Sequence, residues 1–316
     1  MPTVTRMLSV WLCDKRHTPS FADAKSAAVR VVADLGGLDV ADLTPPVIVR
    51  WLGSLTDRAP NRRRGYLWAL RGAIQAAMLE GVIDHDPSRG LPRSALPPKR
   101  VRPEYRAAEL VLTASDVRAL LEAAPSSRRT QWAVVLLAGL RVGEASALRW
   151  GDVRPDEPLD CLSVSRSWST KRREMGPTKT GAVRRVPVHT ALAAMLRAHR
   201  ATWLSLRARV PRADDLIFPG RREDRPMGEP VWLAHWKADL ARIGLSPRPI
   251  HSARHTFLSL AIEHGASESA IFACTHGDSS IRGVYRHWQW PSLCEAVSRI
   301  PIDWAPPPSI IRRLEQ

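Results

Sequence analysis

Long apolar stretches are missing from this 316-residue chain: no run approaches the roughly 18 residues that a membrane-spanning helix needs, and the first residues lack the charged-then-apolar pattern of a signal peptide. Cysteine is scarce. Cys13, Cys161, Cys274 and Cys294 stand too far apart for a CxxC pair or a zinc module, and read as small core residues of a reducing compartment. These absences make a cytoplasmic location the expectation and give no sign of a membrane. Acidic residues are in deficit, 31 against 47 basic ones, and they form no cluster of the kind a two-metal nuclease requires. His251 and His255 have the spacing of a helical zinc pair, but Ser252 occupies the place where HExxH needs its glutamate. Neither a metal nor a cofactor is therefore expected. Self-similarity at 20 to 50 residues is absent, which excludes a solenoid. With only six lysines and three tyrosines in the chain, each one set among other reactive groups stands out.

What remains is 44% hydrophobic, enough for a sizeable core and most simply two domains, with a net charge of +16. A surplus of that size points to a polyanionic partner, nucleic acid by default. The spacing predicts a helix at about 21–35, with Ala24, Ala27, Ala28, Val31 and Val32 on one side, and a second one capped by Thr44, with Pro45 and Pro46 in its first turn. A third, at about 61–80, sets Arg62, Arg63, Arg64 and Arg71 beside Leu67, Leu70, Ile74 and Met78. One side suits a core and the other phosphates, or merely water. Residues 86–105 are rich in proline and carry Arg93, Lys99, Arg100 and Arg102, which reads as a stiff basic linker. Joining two basic domains, it suits a clamp around a duplex with salt-sensitive affinity.

In the second half, Thr113 and Asp116 mark a helix start. A buried-looking run from 132 to 140 leads into GLRVGEASALRW, where Arg141 needs a partner and Glu144 could provide one, as a structural ion pair or beside an anion site. In TKTGAVRRVPVH, Gly181 and Ala182 read as the turn between a strand bearing Lys179 and one bearing Arg185, Val186 and Val188. Helices at about 190–209 and 231–243 follow. Residues 251–285 then gather His251, Arg254, His276 and Tyr285. His251 and Arg254 are three apart in a helical pattern and could reach one anion together, and Gly277, Asp278 and Ser279 give the chain a turn that could return the Tyr285 phenol to an imidazole. A phenol with pKa near 10 costs about 4 kcal/mol to ionise at neutral pH, which a cationic pocket would offset.

GLRVGEASALRW with Arg141, TKTGAVRRVPVH with Lys179, HSARH with His251 and Arg254, THGDSS with His276, and Tyr285 nine residues later resemble, in type and chain order, the tyrosine recombinase or phage integrase family. The match covers about residues 107–290, and its compact character is similar to the Cre- or Xer-like type without a separate arm-site domain. Ala253 stands where the family usually has leucine, and THGDSS replaces the commoner LGHSS. The resemblance implies a mainly α fold with a small antiparallel sheet: a helical core-binding domain over 1–98, a basic linker over 99–106, an α+β catalytic domain over 107–300 and a tail over 301–316. Ile310, Ile311 and Leu314 in that tail are expected to dock on a neighbouring protomer or on their own domain.

The function it implies is site-specific recombination of double-stranded DNA through a 3′-phosphotyrosyl intermediate, without metal or ATP, by a homo-tetramer that is weakly associated or monomeric off DNA. In that scheme Tyr285 attacks phosphorus, Arg141 and Arg254 hold the non-bridging oxygens, Lys179 protonates the leaving 5′ oxygen, His251 orients or accepts the phenol proton and His276 bonds the phosphate. Arg62, Arg63, Arg64, Arg71, Lys99, Arg100 and Arg102 would contact DNA, and the protein would be cytoplasmic and nucleoid-associated. A DNA-relaxing type IB topoisomerase and a catalytically silent DNA-binding regulator are the alternative readings.

Overall fold

Apolar side chains at helical spacing build each of the two units into which the chain divides, residues 1–102 and 103–316. The computed structural model describes residues 1–18, 20–98, 110–178, 181–276 and 289–304. The first unit contains α1 (Val4–Lys15), α2 (Phe21–Leu35), α3 (Pro45–Ser54) and α4 (Pro60–Leu79). Thr3 caps α1 by accepting the Arg6 N–H, whereas Thr44 precedes α3 without a side-chain cap, the two prolines supplying the start instead. Val4, Met7, Leu8, Ile48, Leu52, Leu70 and Ile74 form the core. Gly72 lets α4 lie against the Trp11 ring of α1, since a Cβ there would meet the indole at 2.2 Å.

Four further details differ from the sequence reading, the first being Val32, placed on the apolar side of α2 but exposed. Met78, placed with the buried face of α4, is exposed because it falls in the last turn, beyond the packed stretch. The basic, proline-rich stretch does not begin as a free linker at residue 86. Ser88 and Leu91 are buried, and Arg71 donates Nε to Ser88 Oγ at 3.0 Å, so residues 86–91 pack back on α4. Cys13 is exposed, not a core residue, while the other three cysteines are buried.

In the second unit Thr113 and Asp116 make the expected capping box of α5 (Ala114–Ala123). The central element is α6 (Ser126–Leu137), buried on every side from Thr130 onward. Its polar needs are met by Asp239, fully buried, which accepts from Trp132 Nε1 at 2.9 Å and Arg128 Nη2 at 2.8 Å. Around it lie α7 (Val142–Ser146), α8 (Thr190–Arg207), α9 (Glu229–Arg242), α10 (Ser252–Glu263), α11 (Glu268–His276) and α12 (Trp290–Ser298).

Five short strands complete this unit among the described residues: β1 (Val153–Arg154), β2 (Cys161–Val164), β3 (Arg166–Ser169), β4 (Glu174–Pro177) and β5 (Arg184–Pro187). They pair antiparallel as β1-β2-β5 and β3-β4. The TKTGAVRRVPVH segment is thus not a hairpin of its own. β5 pairs with β2, Val164 opposite Arg184, while the strand before it pairs with β3, Arg166 opposite Pro177. The tip of the β3–β4 hairpin is at residues 170–173. Lys179 lies outside the described residues; Gly181 N–H donates to Thr178 O at 2.9 Å.

The tail begins in cis. Ile300 and Ile302 are buried, Arg118 donates to Pro301 O at 2.6 Å, and Trp304 lies under the Arg129 guanidinium. Ile310, Ile311 and Leu314 lie outside the described residues.

Gly139 ends α6 with φ +62°, and a Cβ there would stand 2.5 Å from the Phe257 ring and 2.9 Å from Thr275 Cγ2. A left-handed L-residue costs about 1–2 kcal/mol and overpacking about 1–3 kcal/mol. Gly139→Ala is therefore expected to lose about 2–5 kcal/mol in urea unfolding of the catalytic unit; a loss under 1 kcal/mol would contradict this packing.

Candidate active site

Arg141 follows that glycine and opens α7, and Glu144 one turn on turns back to it: the Arg141 backbone N–H donates to Glu144 Oε2 at 2.9 Å and its Nη1 to Oε1 at 3.0 Å. The pairing read from the i,i+3 spacing is present, but it is only half of the arrangement. Arg184 at the start of β5 donates Nη1 to Oε1 at 3.1 Å and Nη2 to Oε2 at 2.6 Å. Arg184 was not among the expected site residues. Within one sequence it looks like the strand residue beside Arg185, and only the β2–β5 register turns it inward while Arg185 faces out.

Arg254 sits in the first turn of α10 and is buried. Its Nη1 donates to Gly139 O at 2.7 Å and its Nη2 to Thr275 O. Thr275 lies in the last turn of α11, where carbonyls without helical partners favour cations. Burial foremost, then the charge of Arg141 and, less, of Arg184, push the Arg254 guanidinium down to about 9, with Glu144 opposing; it still carries its charge at neutral pH. Burial alone would raise the Glu144 carboxyl, but the hydrogen bonds and charge of Arg184, followed by Arg141, outweigh it and hold it below its usual range.

Among the described residues, three guanidiniums thus gather about one carboxylate, which pairs directly with Arg141 and Arg184 but not with Arg254, and two positive charges are left over. Such a charge surplus disfavours the empty site and favours an anion.

His251 precedes α10 and is exposed, its ring edge-on to that of His255 at 5.1 Å between centroids. It shares the first turn with Arg254 but not its depth: the imidazole is at the surface and the guanidinium beneath. His276 ends α11, one residue past the carbonyl that holds Arg254; its side chain, like Lys179 and Tyr285, is outside the described residues. The structure therefore brings Arg141, Glu144, Arg184 and Arg254 together directly and supports His251 on an adjoining surface.

In the first unit the expected DNA-contact arginines divide. Arg62 and Arg64 are exposed on α4, whereas Arg63 donates to Leu52 O at 2.9 Å and Arg71 to Ser88, so both also brace the fold. Arg64, Arg71 and Arg93 line a groove of about 680 Å³ with Trp68, Leu96 and Pro97. Trp68 is half-exposed and rests edge-on against Trp11. Arg93 belongs to the basic stretch read as part of a clamp, whereas Trp68 was not singled out; basic residues interleaved with an aromatic were the available signal. Lys99, Arg100 and Arg102 are outside the described residues.

Removing the central carboxylate strands buried positive charge, which typically costs 3–5 kcal/mol. Glu144→Gln is expected to lose about 3–5 kcal/mol of unfolding free energy near neutral pH. Because the folded pKa is depressed, Glu144's contribution is fully present above its unfolded value of about 4.3 and is lost as pH falls through the lower folded value. The gap between wild type and variant should then narrow in urea titrations below pH about 4, and a gap independent of pH would show that the carboxylate charge is not what holds the site.

The chain is similar to known proteins along most of its length. The phage integrase family matches residues 110–289, which include Arg141, Lys179, His251, Arg254, His276 and Tyr285. The tyrosine recombinase XerC of Azotobacter vinelandii is 30% identical over 234 residues, covering 72% of this chain and 69% of its own. The integrase of Mycobacterium phage FRAT1 is 26% identical over 278 residues, covering 85% and 78%. A lambda integrase tetramer bound to a Holliday junction shares the fold, with TM-score 0.66 over 90% of this chain and 79% of that one at 16% identity. The chain belongs to the phage integrase family, and its activity is that of a tyrosine-type site-specific recombinase, an enzyme that cleaves and rejoins DNA strands.

Proposed function

We propose that Arg141 and Arg254 hold the non-bridging oxygens of the phosphodiester to be cut, and that Tyr285 attacks its phosphorus. The observation that carries this assignment is the surplus of charge: Arg254 is buried beside Arg141 and Arg184, and Glu144, the one carboxylate beside them among the described residues, is taken up by Arg141 and Arg184. A pentavalent phosphorus with growing negative charge is what such a pocket would stabilise, and two guanidiniums would neutralise it by paired N–H bonds. The phenol oxygen forms a bond to phosphorus as the bond to the 5′ oxygen breaks. Lys179 gives its proton to that oxygen, His251 orients the phenol or takes its proton, and His276 bonds the phosphate.

Because the phosphotyrosyl ester retains the energy of the bond it replaced, a second 5′ hydroxyl reverses the step without ATP. Exchange between two sites needs four strands cut, hence four protomers on paired sites. The lambda integrase tetramer on a Holliday junction supports that number for this family. Off DNA the protein would be monomeric or weakly associated, and in the cell it would be nucleoid-associated in the cytoplasm. The unit comprising residues 1–98 serves as the core-binding clamp, with Arg62, Arg63, Arg64 and Arg71 on phosphates and Lys99, Arg100 and Arg102 on the linker over 99–106. Residues 107–300 are the catalytic domain.

Tyr285→Phe should abolish the covalent protein–DNA adduct, a fall of at least about 10³-fold, while DNA affinity stays within threefold of wild type. Retention of the adduct would reassign the nucleophile. Lys179→Ala should slow cleavage by about 10²–10⁴ on ordinary DNA and run near the wild-type rate when the bridging 5′ oxygen is replaced by sulfur, whose departure needs no proton. Equal slowing on both substrates would remove Lys179 from the acid's role.

A further inference from the structure

Arg184 and Arg141 meet the same carboxylate in different ways. Arg184 is buried and its fork is spent internally: Nη1 and Nη2 go to Glu144, and Nε donates to Cys274 O at 2.9 Å. Arg141 gives Glu144 a single side-chain N–H, at 3.0 Å, and its side chain is 25% exposed. Glu144 is full. Its Oε1 accepts Nη1 of both arginines, and its Oε2 accepts Arg184 Nη2 and the Arg141 backbone N–H, which uses the roughly four acceptor positions a carboxylate offers.

Without Arg184, two of those positions would fall vacant in a dry site. The carboxylate would then take Arg141 in the two-point geometry that arginine and carboxylate prefer, drawing inward the N–H groups now turned away from it. Arg184 also ties β5 to the backbone of α11 at Cys274, the residue before the carbonyl that fixes Arg254. Successive carbonyls of one helix end thus hold the two arginines, so that displacement at one is felt at the other.

We infer that Arg184 is a positioning residue for strand cleavage: by saturating Glu144 it keeps Arg141 in a one-bond contact, with its outer edge left for the phosphate. This rests on the assignment of Arg141 to the phosphate, made above.

The test is a double-mutant cycle in the full chain, with single-turnover formation of the covalent adduct at saturating DNA and DNA affinity measured separately. Arg184→Met should slow adduct formation by about 10²-fold or more, the scale of one misplaced oxyanion donor, with affinity unchanged within threefold. Arg184→Lys should recover part of the rate, since an ammonium keeps the charge on Glu144 but not the fork. In a Glu144→Gln background, where no carboxylate competes for Arg141, adding Arg184→Met should slow the reaction by less than about fivefold further. Equal slowing in both backgrounds would overturn the proposal, as would an effect on affinity alone. If Arg184→Met does not fold, Arg184→Lys is read in the same two backgrounds by the same rule. Failure of wild type to form the adduct would instead reject the reading of the site as a whole, so the two failures are distinguishable.

Discussion

Glu144 accepts hydrogen bonds from two guanidiniums and a backbone N–H while lying almost wholly out of water, and the rest of the catalytic unit is arranged to make that possible. An isolated carboxylate at that depth would protonate, and an isolated guanidinium would be expelled; together they stay charged because each removes the other's desolvation cost. Three elements distant in sequence converge on the pair: α7 supplies the carboxylate, β5 the second arginine, and α11 the carbonyls against which Arg184 and Arg254 rest.

The pair balances only part of the charge, and the remainder is what the proposed function assigns to the phosphate. A pocket neutralised by a second carboxylate would be more stable and useless for holding a phosphate. One with no carboxylate would not hold three arginines at all. One acid among three bases, as found among the described residues, lies between these limits. Deep in the unit, Asp239 satisfies Trp132 and Arg128 and so ties down the helix that leads to Gly139.

Much of the fold was legible in local patterns. The helix starts at Thr113 and at Pro45 and Pro46, the helix from Phe21, and the buried run before Arg141 follow from capping chemistry and periodicity, which act over one or two turns. The strands were harder. The segment around Gly181 carries the composition of a hairpin turn, yet β5 found its partner twenty residues back in β2, because strand pairing is a non-local choice that turn residues influence but do not decide. Residues 86–91 look like linker by composition; a single arginine, Arg71, on the Ser88 backbone and side chain shows that part of the stretch is folded.

By itself, the sequence determined the chemistry available: which side chains can hold a phosphate, attack it and protonate a leaving oxygen, in what order along the chain, and the family they mark. Those are properties of residue type and spacing, which survive without coordinates. Only the folded chain shows which arginine is consumed on Glu144 and which is left outside. Arg184 and Arg185 are neighbours of identical chemistry, and strand alternation in the β2–β5 register sends one into the carboxylate and the other onto the Trp290 ring. A guanidinium's role is set by what it meets, and what it meets is fixed only when distant segments come together.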